Sequence, residues 1–108
     1  MLKNGWFKMN REIFTDDIVT SDSDHLAVWC FLCANASYTT RQTRYNGKVI
    51  TLRPGQLITS RRSIAAATKV DPSKVERVRK VFIEAKRISQ RTCSSSRLIT
   101  ILEPQSED

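Results

Sequence analysis

The chain has 108 residues, 40% of them hydrophobic and 27% charged, with 18 Lys and Arg against 11 Asp and Glu, a net charge of +7. That length supports one hydrophobic core rather than two, and the composition is that of a folded domain, not of a fibrous or disordered chain. The longest apolar run, residues 26–34, is about half the length of a bilayer span; with no signal-peptide core at the N-terminus and an odd number of cysteines, a cytoplasmic protein with no membrane partner is expected.

In chain order, residues 5–15 (GWFKMNREIFT) begin extended and predict a helical turn near residues 10–14, with Trp6, Met9, Ile13 and Phe14 available to dock on a core. The acidic residues Asp16, Asp17, Asp22 and Asp24 form a loop that ends in a helix N-cap. Ser21 or Ser23 would accept from the first free N–H groups, and Asp22 and Asp24 favour the positive end of the helix dipole. Residues 25–36 (HLAVWCFLCANA) predict a helix with Leu26, Trp29, Cys30 and Cys33 on one stripe and Val28, Phe31 and Leu32 over much of the rest. A helix that is apolar on most sides packs from several directions, so it is expected to support the core.

Asn46-Gly47 is the strongest short hairpin signal, and residues 44–46 and 48–52 would be the arms. Arg53-Pro54-Gly55 predicts a type II turn, after which residues 56–59 resume as a strand and Ser60 caps a helix over residues 61–68. A three-residue turn, 69–71, leads to a second helix over about residues 72–87, with Asp71 as its cap and Pro72 in the first position, where its missing N–H is harmless. At about 100° per residue, Val75, Val78, Phe82 and Ala85 share an apolar stripe flanked by Val81. Ser73, Arg77, Lys80 and Glu84 lie opposite, and Lys74 stands at the boundary. Residues 88–92 and 97–102 then predict a hairpin with its tip at 93–96, and residues 103–108 form a polar tail outside a domain of residues 1–102.

Helix, short turn, helix and β-hairpin, in that order, is the winged form of the helix-turn-helix. The expected fold is therefore α+β: a winged helix-turn-helix with an added N-terminal segment and a β-hairpin before it. Residues 60–102 hold 11 of the 18 Lys and Arg against Asp71, Glu76 and Glu84, which leaves the rest of the chain at −1. A positive charge concentrated on such a motif points to double-stranded DNA as the partner. Side chains near the start of the second helix read base edges in the major groove, which singles out Ser73, Lys74 and Arg77. Lys80, Arg61 and Arg62 are placed for phosphates, and Arg91 and Arg97 on the wing for the backbone or an adjacent minor groove.

Other motifs have plainer readings. Cys30-x-x-Cys33 has only His25 and Cys93 to complete a zinc set, and it lies in an apolar run where cysteine packs as a small hydrophobe, so no metal or other cofactor is expected. His25 is the single histidine and is expected to be solvated at a helix start; no nucleophile pattern or phosphate-binding Gly-rich loop accompanies it, and no enzyme is expected.

The chain resembles the N-terminal domain of phage replisome organisers and DnaD-like replication initiation proteins. The likeness rests on GWFKMNR (5–11), TSDSDHLAVW (20–29), NGKVITLRPGQLITSRRSIA (46–65), SKVERVRKVF (73–82) and RLITI (97–101). It implies a winged helix acting in initiation of DNA replication, which can self-associate as a homo-oligomer and works beside a helicase or its loader. A second, helical domain usually follows in such proteins. Cys93, the serine-rich tip and Ala65-Ala66-Ala67 depart from the pattern. An oligomerisation or protein-interaction winged helix and a transcriptional repressor are the alternative readings.

Overall fold

A computed structural model describes Phe7, residues 9–93 and residues 96–102. The expected docking of Trp6, the hairpin tip at Ser94 and Ser95, and the tail all lie outside the described residues. The architecture is α+β, with three α-helices and two small antiparallel sheets. Helices α1 (Ser23–Asn35), α2 (Arg61–Thr68) and α3 (Pro72–Glu84) accompany a hairpin of β1 (Arg41–Tyr45) and β2 (Lys48–Leu52) and a sheet of β3 (Gln56–Thr59), β4 (Ile88–Cys93) and β5 (Ser96–Ile101). In that sheet the order is β3-β5-β4, so the strand before the two helices pairs with the far arm of the final hairpin.

The N-terminal segment condenses to one 3₁₀ turn, Ile13–Thr15. Ile13 packs on the core but Phe14 is 73% exposed, contrary to its expected docking. Adjacent residues of a single short turn face different ways, so only one of the two can be buried. Asp16 anchors the segment by accepting from the N–H groups of Ile18 and Val19, 2.9 and 3.2 Å away.

The cap of α1 is Asp22 rather than either serine; its carboxylate accepts from the His25 N–H at 2.8 Å. The buried line of α1 is also different from the expected stripe: Val28, Trp29 and Leu32 are buried, while Leu26 and Cys33 are only partly so. Periodicity cannot choose a face on a helix that is apolar nearly all round, and here the packing partners choose. They are α2 and α3, which contribute Ile64, Val75, Val78 and Phe82 to the same core, joined by Leu57, Ile88 and Ile99 from the sheet.

The β1–β2 turn places Asn46 and Gly47 at φ 52° and 77°, the pair of positive angles that a two-residue hairpin turn requires. Its first arm starts at Arg41, three residues before the expected position, because Arg41 to Tyr45 pair in register with Leu52 to Lys48. Gly55 at φ 86° makes the predicted turn into β3. The turn from α2 to α3 rests on Lys69 in the left-handed region, and α3 starts on the Asp71 side chain, which accepts from the Ser73 N–H at 2.9 Å. Helix α3 stops at Glu84, short of the predicted end. Lys86 turns left-handed at φ 61°, and the Arg87 N–H reaches back to the Phe82 carbonyl at 2.8 Å, closing the last turn as in a Schellman motif.

Strand alternation gives the three-stranded sheet two unlike faces. Leu57, Ile99, Gln90 and Ile88 share the face toward the helices, whereas Ile58, Leu98 and Arg91 share the other. The β1–β2 hairpin approaches that second face, and a hydrogen bond between the Tyr45 and Ser96 hydroxyls joins the two. Among the described residues, no helix is long and apolar enough to cross a membrane.

Candidate functional site

Helix α3 sorts its side chains by angle. Val75, Val78 and Phe82 are fully buried, and Ser73, Arg77 and Lys80 are exposed on the opposite side, as the helical period predicts. Ala85, placed on the core stripe by sequence, is half-buried just past the end of the helix. Arg61 and Arg62 are exposed at the start of α2, and the Arg61 Nε lies 3.9 Å from the Glu76 carboxylate, so the starts of the two helices form one basic surface.

Lys74 belongs elsewhere. Its Nζ donates to Asp22 at 2.9 Å and Asp24 at 3.2 Å, which ties α3 to the start of α1 through a partly exposed ion pair. Its pKa is raised by these hydrogen bonds, first that of Asp22 and then that of Asp24. Sequence reasoning placed Lys74 at the stripe boundary but did not see the acidic partners, 50 residues or more away in the chain. The arginines of the β4–β5 hairpin also separate. Arg97 shares the helix-facing side of the sheet, and its charge acts on Glu76, whereas Arg91 stands opposite Leu98 on the other side.

Comparison with family models, curated proteins and solved structures finds no match to this chain.

Arg79 was not singled out by sequence reasoning. Its side chain is 3% exposed, and its Nη2 donates to both Glu76 carboxylate oxygens at 2.6 Å, while Nη1 donates to Gln90 on β4. Its Nε is buried without a partner. The signal was available in the helical period, because Arg79 lies one turn after Val75 and three residues before Phe82, on the core stripe. The consequence is electrostatic. Glu76 is committed to Arg79, which leaves the exposed Glu84 as the acid of α3 on the face of Arg77 and Lys80.

His25 is not a solvated surface group. Its side chain is 12% exposed, its ring edge meets Phe82 with centroids 5.9 Å apart, and its Nδ1 is 2.7 Å from Asp22. Cys30 and Cys33 sit half-buried in α1, and burial pushes the Cys30 thiol up. No three His, Cys, Asp or Glu side chains gather as a metal-ligand set among the described residues.

Three carboxyls are held below their ordinary range. In Asp16 the hydrogen bond from Arg87 leads and outweighs the upward push of burial. In Asp22 hydrogen bonds from the His25 ring and N–H lead, followed by Lys74. In Glu76 burial is the largest single influence and pushes upward, but the hydrogen bonds and charge of Arg79, with the charges of Arg61 and Arg97, together exceed it. A carboxyl whose pKa is lower in the folded state stabilises the fold fully above its unfolded value, about 4, and loses that contribution as pH falls through the folded value. The melting temperature is thus expected to be flat from neutrality to about pH 5 and to fall steadily below about pH 4. Asp16→Asn should start lower and show a shallower acid limb. Equal acid slopes for the two proteins would remove the Asp16–Arg87 pair from this account.

Proposed function

We propose that this chain is a winged helix-turn-helix module that binds double-stranded DNA, with α3 as the helix that enters the major groove. The observation that carries the reading is the exposed outer face of α3 with Arg77 and Lys80, held over a core stripe while one of the helix's two acids, Glu76, is used internally by Arg79. The element order supports it, since α2, a three-residue turn and α3 are followed by the β4–β5 hairpin, with β3 completing the sheet. On this reading Ser73 and Arg77 reach base edges, and Lys80, Arg61 and Arg62 hold phosphates. Arg97 extends the same surface along the wing. Lys74 sets the angle of α3 against α1 instead of touching DNA, and Arg91 lies away from the groove. The resemblance to replisome organisers and DnaD-like proteins supports a role in replication initiation, beside a helicase or its loader.

The test is Arg77→Ala with Lys80→Ala, measured on a duplex selected from a random pool across a salt series. Wild type is expected to bind with log K falling linearly against log salt. Loss of one base contact and one phosphate contact should weaken binding by about 10- to 100-fold, at about 1–3 kcal/mol for a good base contact. Unfolding should be unchanged, because both side chains are exposed. Equal affinity of the folded double variant and wild type would overturn the reading and favour the protein-interaction alternative.

A further inference from the structure

Glu76 is met by arginines from three elements. Arg79 of α3 donates Nη2 to both of its carboxylate oxygens at 2.6 Å. The Arg61 Nε, at the start of α2, lies 3.9 Å from Oε2, an ion-pair distance rather than a hydrogen bond. The third arginine comes from the β4–β5 hairpin. Gln90, which accepts from Arg79, shares the helix-facing side of the sheet with Arg97. Arg97 stands in the next row toward the hairpin tip, opposite Thr92 and Thr59. Burial pushes the Glu76 carboxyl upward, yet it stands below its ordinary range because Arg79, and then the charges of Arg61 and Arg97, outweigh burial.

The three arginines are not equivalent. Arg79 is buried and its guanidinium is fixed on two sides, by Glu76 and by Gln90, so it anchors the carboxylate from the core. Arg61 keeps 56% of its side chain exposed and Arg97 is half-buried, so both reach solvent. An exposed ion pair adds little to stability. What it does is restrict a long side chain. On charge alone, an acid beside a surface for polyanions weakens that surface, so the value of Glu76 lies in where it holds the cations. Long side chains lose rotamer freedom when they meet a partner, and a carboxylate that already restricts them lowers that loss. One carboxylate against three guanidiniums still leaves the cluster positive.

We infer that Glu76 is a positioning residue for the nucleic-acid surface: anchored by Arg79, it holds Arg61 of α2 and Arg97 of β5 as a fixed pair beside the start of α3, where the backbone of one duplex meets both. Gln90, Arg79 and Glu76 thereby link the β4–β5 hairpin to both helices of the motif. The duplex part of this inference rests on the proposed function; the fixing of the two arginines does not.

Two measurements test it separately. The first follows the arginine Nε–H groups by NMR in the free protein, through their heteronuclear NOE. In wild type, Arg61 and Arg97 should be more rigid than the exposed Arg62 and Arg91. In Glu76→Gln, which keeps the shape of the side chain and one acceptor for Arg79, they should fall to the level of that second pair. Should Glu76→Gln fail to fold, Glu76→Gln with Arg79→Met leaves no buried guanidinium and carries the same measurement. Arg61 and Arg97 as mobile in wild type as in the variant would overturn the fixed pair. The second measures binding of the folded proteins to the selected duplex and to a random-sequence duplex. Affinity for the selected duplex should fall about two- to tenfold in the variant, the cost of immobilising a long side chain that was held before. Affinity for the random duplex should not fall, because the variant is one charge more positive. An equal fall on both duplexes, or none on the selected one, would make Glu76 a structural residue only and overturn its role toward DNA. Should wild type bind no duplex, the proposed function fails and the duplex part with it, and the arginine NOE still decides whether Glu76 fixes the pair.

Discussion

Glu76→Ala is expected to destabilise the fold by about 3 kcal/mol, the lower end of the cost of breaking a buried ion pair by removing one partner. The reason lies in what remains. Arg79 is 3% exposed and would keep its charge, with Gln90 as its one side-chain acceptor and its Nε already unpaired. A guanidinium in that state has neither water nor a counter-ion, and it cannot lose its proton at any ordinary pH. The opposite truncation should be milder. Glu76 retains 26% side-chain exposure, so in Arg79→Met the carboxylate can turn to water while the methionine fills the apolar volume between Val75, Val78 and Phe82. The double variant Glu76→Ala with Arg79→Met should be more stable than Glu76→Ala alone. Urea unfolding of the four proteins forms a double-mutant cycle and reads the coupling directly. The reverse order, with Arg79→Met the more damaging single change, would show that the guanidinium matters through its packing or its link to β4 rather than through its charge.

The same residue shows where the sequence was legible. The caps of α2 and α3, the turns and the order of these two helices were readable because they rest on local chemistry: Ser60 and Asp71 cap by their own side chains, Pro72 opens a helix, and Asn46-Gly47 and Gly55 supply positive φ. The end of α3 was less so, since the left-handed residue that stops it is Lys86 rather than a glycine or asparagine. Long-range pairing was not readable at all. Nothing near Lys74 announces Asp22 and Asp24, and nothing near Asp16 announces Arg87, 71 residues away. Charge counting within residues 60–102 consequently treated Lys74, Arg79 and Arg87 as available, although all three are held by carboxylates. It also passed over the hairpin, whose cations are few but unopposed. An acid-free run from His25 to Val70, with seven Lys and Arg, was visible in the sequence and spans the hairpin and α2.

Phe82→Ala should cost about 3–5 kcal/mol, the range for removing a buried aromatic side chain from a core. Phe82 is fully buried and lies where α3 meets α1; its ring meets the edge of Trp29 with centroids 5.5 Å apart at 84°, and that of His25 at 5.9 Å and 73°. Edge-to-face pairs add about 0.5–1.5 kcal/mol beyond the area they bury, so Phe82→Leu should also lose stability, though less than alanine because much of the volume is kept. For a domain of this size 3 kcal/mol lowers the melting temperature on the order of 15 °C. Trp29 provides a local probe: its near-ultraviolet circular dichroism should weaken in Phe82→Ala even at temperatures where far-ultraviolet helicity is retained. A variant as stable as wild type would mean that α1 and α3 are held by other contacts. This position also separates stability from recognition. Phe82 points away from the basic face, so under the proposed function Phe82→Ala should weaken DNA binding only as the folded fraction falls and should recover it on cooling toward the temperature of maximum stability. Arg77→Ala with Lys80→Ala should do the reverse, losing affinity at every temperature with the unfolding midpoint unmoved. If cooling does not restore binding to folded Phe82→Ala, the angle at which the core holds α3 is itself part of what the DNA reads.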